Sequence, residues 1–457
     1  MKKIIFLFSI LIVAQIAHCQ DITGTWNGVL DIQTLKFHIV FHISKSADGY
    51  TATMDSPDQG AKGLAVEKVE FDNSKLTISI PAFRIEYKGE LIDNEAIKGT
   101  FTQGGMPFVL NLSRGEVVQK RPQTPQPPFP YKTEEVSFAN QTDGRIVLSG
   151  TLTLPEGVGK FPAVVLVSGS GAQNRDEELF EHKPFFVLAD YLTRRGIAVL
   201  RYDDRGTAKS TGNFSTATTY DFSVDAESAF NFLKNHKNIS PKQIGIIGHS
   251  EGGVVAPMIA ARNADVAFII SLAGSSIAGD SLLLMQQKAI FTAMNLPKEE
   301  LQKAHDTNKT LFEMVKNTTD SAQLRAELVK YLENALKDET DAASKNNADA
   351  ALAQLDNAWM KFFIRYNPAD AWEKVRCPVL ALNGEKDLQV PYNENLTAIK
   401  TALEKGGNKK FTIKSIPALN HLFQPSTSGL PSEYGQIETT ISEEVLKIIA
   451  EWIWAKK

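Results

Sequence analysis

Gly248-His249-Ser250-Glu251-Gly252 puts one serine hydroxyl between two glycines, behind the apolar run 244–247 and ahead of the apolar stretch 253–260. Gly-x-Ser-x-Gly between a strand and a helix is the setting of a nucleophile elbow. The sharp turn strains the serine backbone, so its flanks must be small. Ser250 is therefore the candidate nucleophile. A serine hydroxyl attacks only when a base takes its proton and a third group orients that base.

The partners are expected downstream, acid before base, each after a late strand. Residues 378–384 read as a buried strand followed by Glu385-Lys386-Asp387, and 411–416 as another strand followed by Asn420-His421. Asp387 is the expected acid, because its rival Glu385 sits too close to the strand end to reach an imidazole. Of the eight histidines, His421 alone has the right order and loop. His18 lies in a leader, and His38 and His42 lie far upstream. His249 should point away from Ser250 across the turn. His182, His236 and His305 read as solvated histidines on polar helical surroundings. An oxyanion needs backbone N–H donors. The Glu251 amide should be one; Ser170 is the expected second and Gly171 the alternative, from Ser168-Gly169-Ser170-Gly171 after the apolar run 163–167.

With Asn174-Arg175-Asp176-Glu177, Tyr202-Asp-Asp-Arg-Gly206, Ser210-Thr-Gly212, Gly384-Glu-Lys-Asp387 and Asn420-His421, these motifs stand in one order. In that order the segment from about 131 to 457 resembles the α/β-hydrolase superfamily, in particular secreted bacterial two-domain esterases of the esterase D type, with serine aminopeptidase and dienelactone hydrolase relatives. The resemblance implies ester hydrolysis through an acyl-enzyme with no metal or organic cofactor. Many relatives carry His at Ser168 and Gly at Ala208; the first departure leaves open how the oxyanion loop is braced. Arg175, Asp176 and Arg205 read as residues that order loops.

These groups must be held by alternating strands and helices. Strand-like runs at 197–202 and 266–272, a helical pattern at 220–236 and a closing amphipathic helix at 437–454 predict a mostly parallel sheet covered on both faces. In such sheets the site lies at the carboxyl ends of the strands. The stretch from Leu272 to Cys377 is far too long for one βα unit. It reads as a helical cap over residues 279–370 with polar loops such as 337–349. Trp359, Phe362 and Phe363 are its expected substrate contacts.

Residues 21–120 differ: short runs of period two at 35–43, 75–80, 96–102 and 106–112 predict a small antiparallel barrel or sandwich. His38 and His42 lie about 13 Å apart along a strand, too far to share one metal ion, and read as a solvated face. The proline-rich stretch 121–131 reads as a stiff spacer, leaving 132–457 as the hydrolase domain. Residues 1–19 read as a signal peptide, with cleavage after Cys19 or a lipid anchor on it as alternatives, so the protein is expected to be periplasmic or secreted. That leaves Cys377 as the free cysteine of the mature chain. A net charge of −4 without a basic run argues against nucleic acid or an anionic membrane surface as partner. The expected activity is a serine carboxylic-ester hydrolase on small to medium acyl esters. The alternatives are a secreted serine aminopeptidase with the same triad, or a glycan- or lipid-binding protein with a vestigial hydrolase domain.

Overall fold

A computed structural model describes residues 21–32, 35–116, 120–335 and 342–456; the expected leader lies outside the described residues. The chain divides into two compact units, Met1–Val118 and Gln119–Lys457.

The first unit contains strands β1 (Gly24–Ile32), β2 (Leu35–Ser46), β3 (Gly49–Ser56), β4 (Ala61–Ala65) and β5 (Lys68–Asp72). They are followed by β6 (Lys75–Ile80), β7 (Ile85–Asp93), β8 (Ala96–Gln103), β9 (Met106–Val109) and β10 (Leu112–Arg114). All pair antiparallel in a single sheet ordered β4-β3-β2-β1-β10-β8-β7-β6-β5, with β9 also on β8. The sheet curls so that β3 approaches β5, which makes a half-barrel rather than two stacked layers. Alternation places the core on one face of the sheet: Leu76, Ile78 and Ile80 turn inward from β6 onto Trp26, Phe41 and Tyr87. His38 and His42 are not the solvated face expected of them. Each is half-buried against a carboxylate, His38 Nδ1 at 2.8 Å from Asp58 Oδ2 and His42 Nε2 at 2.9 Å from Asp55 Oδ2. No cluster of metal-ligating side chains occurs among the described residues.

The second unit is built on an eight-stranded sheet ordered β11-β12-β14-β13-β15-β16-β17-β18. Its strands are β11 (Lys132–Ala139), β12 (Val147–Leu154), β13 (Phe161–Val167), β14 (Ala198–Tyr202) and β15 (Ile239–His249), then β16 (Phe268–Leu272), β17 (Val379–Gly384) and β18 (Phe411–Ile416). β12 pairs antiparallel with both β11 and β14, and all the other neighbours pair parallel. Helices α1 (Pro184–Thr193), α2 (Thr219–Asn235) and α3 (Gly252–Ala260) alternate with the early strands. Between β16 and β17 come α4 (Gly279–Ala293), α5 (Lys298–Asn317), α6 (Ser321–Ala335), α7 (Ala342–Asp356), α8 (Ala358–Arg365) and α9 (Ala369–Trp372). α10 (Tyr392–Lys405) and α11 (Glu443–Trp454) complete the unit. The long polar stretch expected as loop at 337–349 is helical from Ala342 onward, and 336–341 lies outside the described residues. The closing helix starts at Glu443, capped by Ser442 Oγ, rather than at 437.

Two apolar layers, one per sheet face, bury the central strands: Val165, Leu200 and Ile246 face one side, Leu166, Ile247 and Leu382 the other. This two-sided burial explains why the central strands read as unbroken apolar runs. The proline-rich stretch lies along this unit: Arg121 donates to the carbonyls of Phe180 and Gly435, and Gln123 bonds Thr440 and Ile441. No helix of the described residues is long and apolar enough to cross a membrane.

Candidate active site

β15 ends at His249, and the chain turns at once into α3. Ser250 adopts φ +53, in the left-handed region that an L residue enters only when its surroundings impose it. Its amide is tied to the Leu272 carbonyl at the end of β16, 2.9 Å away. The flanking glycines are required by space. A Cβ on Gly248 would strike the Gly252 backbone, and one on Gly252 would strike the Val167 carbonyl. The elbow is thus folded against the neighbouring strand ends.

Across the same end of the sheet, the loop after β17 carries Asp387 and the loop after β18 carries His421. Their side chains are buried, with Asp387 Oδ2 at 2.7 Å from His421 Nδ1. The other carboxylate oxygen accepts from the Gln389 and Val390 amides, each at 2.8 Å, so Asp387 cannot swing away. His421 Nε2 has no hydrogen-bond partner among the described residues, and neither has Ser250 Oγ. Glu385 accepts from Ser415 Oγ instead and takes no part. Ser250 and His421 line one cavity of about 270 Å³.

Ser170 lines that cavity too, and among the described residues neither its amide nor that of Glu251 has an acceptor. Both N–H groups are therefore available to an anion, and the start of α3 adds its positive helix end. Gly171, the alternative donor, does not line the cavity; its φ of +99 serves the turn. The bracing left open by Ser168 is visible. Ser168 Oγ donates to Asp204 Oδ1 at 3.0 Å and the Gln173 amide to Asp204 Oδ2 at 3.0 Å, while Glu177 Oε1 accepts from the Gly169 amide at 2.6 Å. Burial pushes the Asp204 carboxyl up to about 8. Arg175 pairs with Asp203, Arg201 with Asp176 and Arg205 with Asp225, all ordering the same loops.

Several residues depart from expectation. His249 does not point away. Its ring lies 4.9 Å from that of His421, tilted by 46°, with Nε2 at 3.0 Å from the His421 carbonyl and Nδ1 at 2.9 Å from Glu177 Oε1. Burial pulls its pKa down, but the charge and hydrogen bond of Glu177 prevail and raise it. Its only sequence signal was adjacency to Ser250. His182 is buried rather than solvated, held by Thr440 Oγ1 and the Tyr434 carbonyl, and burial lowers its pKa to about 4. Trp359 and Phe363, one helical turn apart on α8, stack in parallel at 5.0 Å and line the cavity. Phe362 does not. It faces the other way, stacked on Tyr366 against Val254 and Met258. The expected contact at Phe362 fails because the helical period puts it on a different face from Trp359 and Phe363.

Glu251 is the second surprise. Its fully buried carboxylate accepts from Thr219 Oγ1 at 2.6 Å and Trp359 Nε1 at 2.7 Å, and burial raises its pKa. The residue after the serine thus ties α2 and α8 to the elbow.

The profile of the X-Pro dipeptidyl-peptidase (S15) family matches residues 143–414, more than half of the chain. The chain belongs to this family. It is an α/β hydrolase, as the sheet order and elbow already indicated. Esterase EstD of Thermotoga maritima is 38% identical over 116 residues, or 25% of this chain and 28% of that protein, so the chain spans under a third of that relative. Among solved structures, a hypothetical protein of Pseudomonas aeruginosa is 17% identical with a TM-score of 0.46, the match covering 75% of this chain and 99% of that one. An esterase of Pyrococcus furiosus is 14% identical with a TM-score of 0.45, again over 75% and 99%.

Proposed function

We propose that the protein is a serine carboxylic-ester hydrolase acting through an acyl-enzyme. The observation that carries this is the buried Asp387–His421 pair, whose open imidazole nitrogen shares a cavity with the strained Ser250. Ser250 Oγ attacks the acyl carbon as His421 Nε2 takes its proton. The oxyanion receives the Glu251 and Ser170 N–H groups. As the carbon–oxygen bond to the alcohol breaks, His421 returns the proton to the leaving oxygen. Water then attacks the acyl carbon as it loses a proton to His421; when the bond from the acyl carbon to Ser250 Oγ breaks, His421 returns that proton to Oγ and the acid leaves. Asp387 holds the imidazole tautomer and offsets its charge. The geometry calls for no metal or organic cofactor in these steps. We read α4–α8 as a cap whose Trp359 and Phe363 contact substrate.

A second reading, a serine peptidase, draws on the family match and on Glu251, whose buried carboxylate beside Ser250 has no cationic partner among the described residues and is suited to a substrate amine. The test for both is hydrolysis of p-nitrophenyl acetate through decanoate beside aminoacyl anilides, with Ser250→Ala as control. Ester turnover lost in the variant, with anilides untouched, supports the esterase. Anilide cleavage moves the protein to the peptidases, and no Ser250-dependent turnover of either overturns both.

A further inference from the structure

The steps above use the amide of Glu251 and leave its side chain idle. That side chain is buried, and one carboxylate oxygen, Oε1, accepts from two helices at once. Thr219 Oγ1, at the start of α2, lies at 2.6 Å and Trp359 Nε1, on α8, at 2.7 Å. An indole N–H can only donate, so Oε1 remains an acceptor whether or not the carboxyl group carries a proton. The Ser170 hydroxyl also hydrogen-bonds with this group. The Glu251 carbonyl is engaged as well, accepting from the Val254 and Val255 amides of α3 at 2.8 and 3.0 Å. Carbonyl and carboxylate are thus both bound to protein, and the amide alone has no acceptor among the described residues.

This pattern matches what an oxyanion hole needs, because donors stabilise a developing charge best when they are fixed before it appears. Glu251 supplies one proposed donor directly. Through its carboxylate it reaches Ser170, the residue that supplies the other. α8 adds a third party: Trp359 bonds to Oε1 and, stacked on Phe363, lines the catalytic cavity. Thr219 differs from Trp359. It is buried outside the cavity lining, and its hydroxyl meets the site through Glu251.

We infer that Glu251 is a positioning residue whose carboxylate fixes the two proposed oxyanion donors relative to each other and ties them to α2 and α8. The inference rests on the hydrolase reading above and deepens it, since the residue after the serine then acts through its side chain as well as its amide. Without these ties the Glu251 amide keeps its place at the start of α3 but loses its fixed relation to Ser170.

The test follows two rates on the full chain: kcat for p-nitrophenyl acetate, and the rate at which a fluorophosphonate labels Ser250. In labelling, Ser250 Oγ bonds to phosphorus, its proton passes to His421 and fluoride leaves, while the phosphoryl oxygen occupies the hole; no ester turnover is needed. Glu251→Met removes the carboxylate at similar length and is expected to lower both rates about 10–100-fold, with KM changing no more than several-fold. Glu251→Gln, whose amide oxygen still accepts from Thr219 and Trp359, is expected to regain most of that loss. Thr219→Val removes one tie from outside the cavity and is expected to lower both rates about three- to tenfold at unchanged KM. Thr219→Ser, which keeps the hydroxyl, should restore them. Combined with Glu251→Met, Thr219→Val should add nothing further. A change confined to KM or melting temperature overturns the inference. So does a Glu251→Gln loss equal to that of Glu251→Met, or a double variant in which the two losses multiply. If Glu251→Met does not fold, the Thr219→Val and Thr219→Ser pair decides by itself. If the wild-type chain turns over no ester yet is labelled at Ser250, the esterase reading falls and the labelling rates decide. If it does neither, both fall.

Discussion

Two carboxylate–imidazole pairs lie side by side at the end of the sheet, and they differ in how many of their imidazole nitrogens are bonded. His421–Asp387 and His249–Glu177 are both buried, and their rings are 4.9 Å apart. In the first pair only Nδ1 is engaged among the described residues, and His421 lines the same cavity as Ser250. In the second both nitrogens are used, one by Glu177 and one by the His421 carbonyl. An imidazole with a free nitrogen can pass a proton to a substrate atom, whereas one with both nitrogens bonded can only hold its neighbours in place. Glu177 also takes the Gly169 amide, so the second pair joins the 168–171 loop, the elbow and the loop of the proposed base.

That contrast predicts unequal losses. Ser250→Ala and Asp387→Asn, measured on p-nitrophenyl acetate, are each expected to lower kcat by roughly 10⁴-fold or more without loss of folding. A variant retaining most of its activity would erase the distinction between the pairs. Glu177→Gln should cost less, about 10–100-fold in kcat with little change in KM, because it misplaces groups rather than removing one. Its stability signature is separate. His249 has a raised pKa in the folded chain, so its charged pairing with Glu177 stabilises fully below the unfolded value of about 6.5. The stabilisation fades as pH rises through the raised value. The melting-temperature gap between wild type and Glu177→Gln should therefore be widest in acid and narrow toward alkaline pH; a gap that widens with pH would contradict the pairing.

The same contrast recurs, smaller, on α8. Trp359→Phe keeps the stack on Phe363 but loses the bond to Glu251, and should shift KM several-fold, on the order of one hydrogen bond to a charged group. Phe362→Ala should leave ester preference unchanged and lower stability by about 1–3 kcal/mol, less than a fully buried Phe, since this ring is only half-buried. A changed chain-length preference in Phe362→Ala would mean that both faces of α8 meet substrate.

Much of this region was legible because its signals are local. An elbow needs glycines next to the serine, and a parallel sheet delivers the ends of β15, β17 and β18 to one edge whatever their side chains. That Ser250, Asp387 and His421 would meet at one end of the sheet could therefore be expected from motif and order. Glu177, by contrast, was visible only as one residue of Asn174-Arg-Asp-Glu177, and nothing in its sequence position said that it would meet His249. His182 looked like a surface histidine because its neighbours in the chain are polar, while the groups that bury it, Tyr434 and Thr440, come from more than two hundred residues away.

The front unit shows the same limit. Period-two patterning identified its strands, since alternation follows from the pleat. It could not say whether they stack or curl, because that depends on which strand edges meet. By itself the sequence determined the elements of this protein and the order of its reactive groups, through spacing, glycine placement and the alternation of strand and helix. Only the tertiary structure decided which nitrogen stays open and which face of α8 meets the cavity. Those outcomes depend on contacts between distant segments, and no local pattern encodes the direction in which a buried side chain finds its partner.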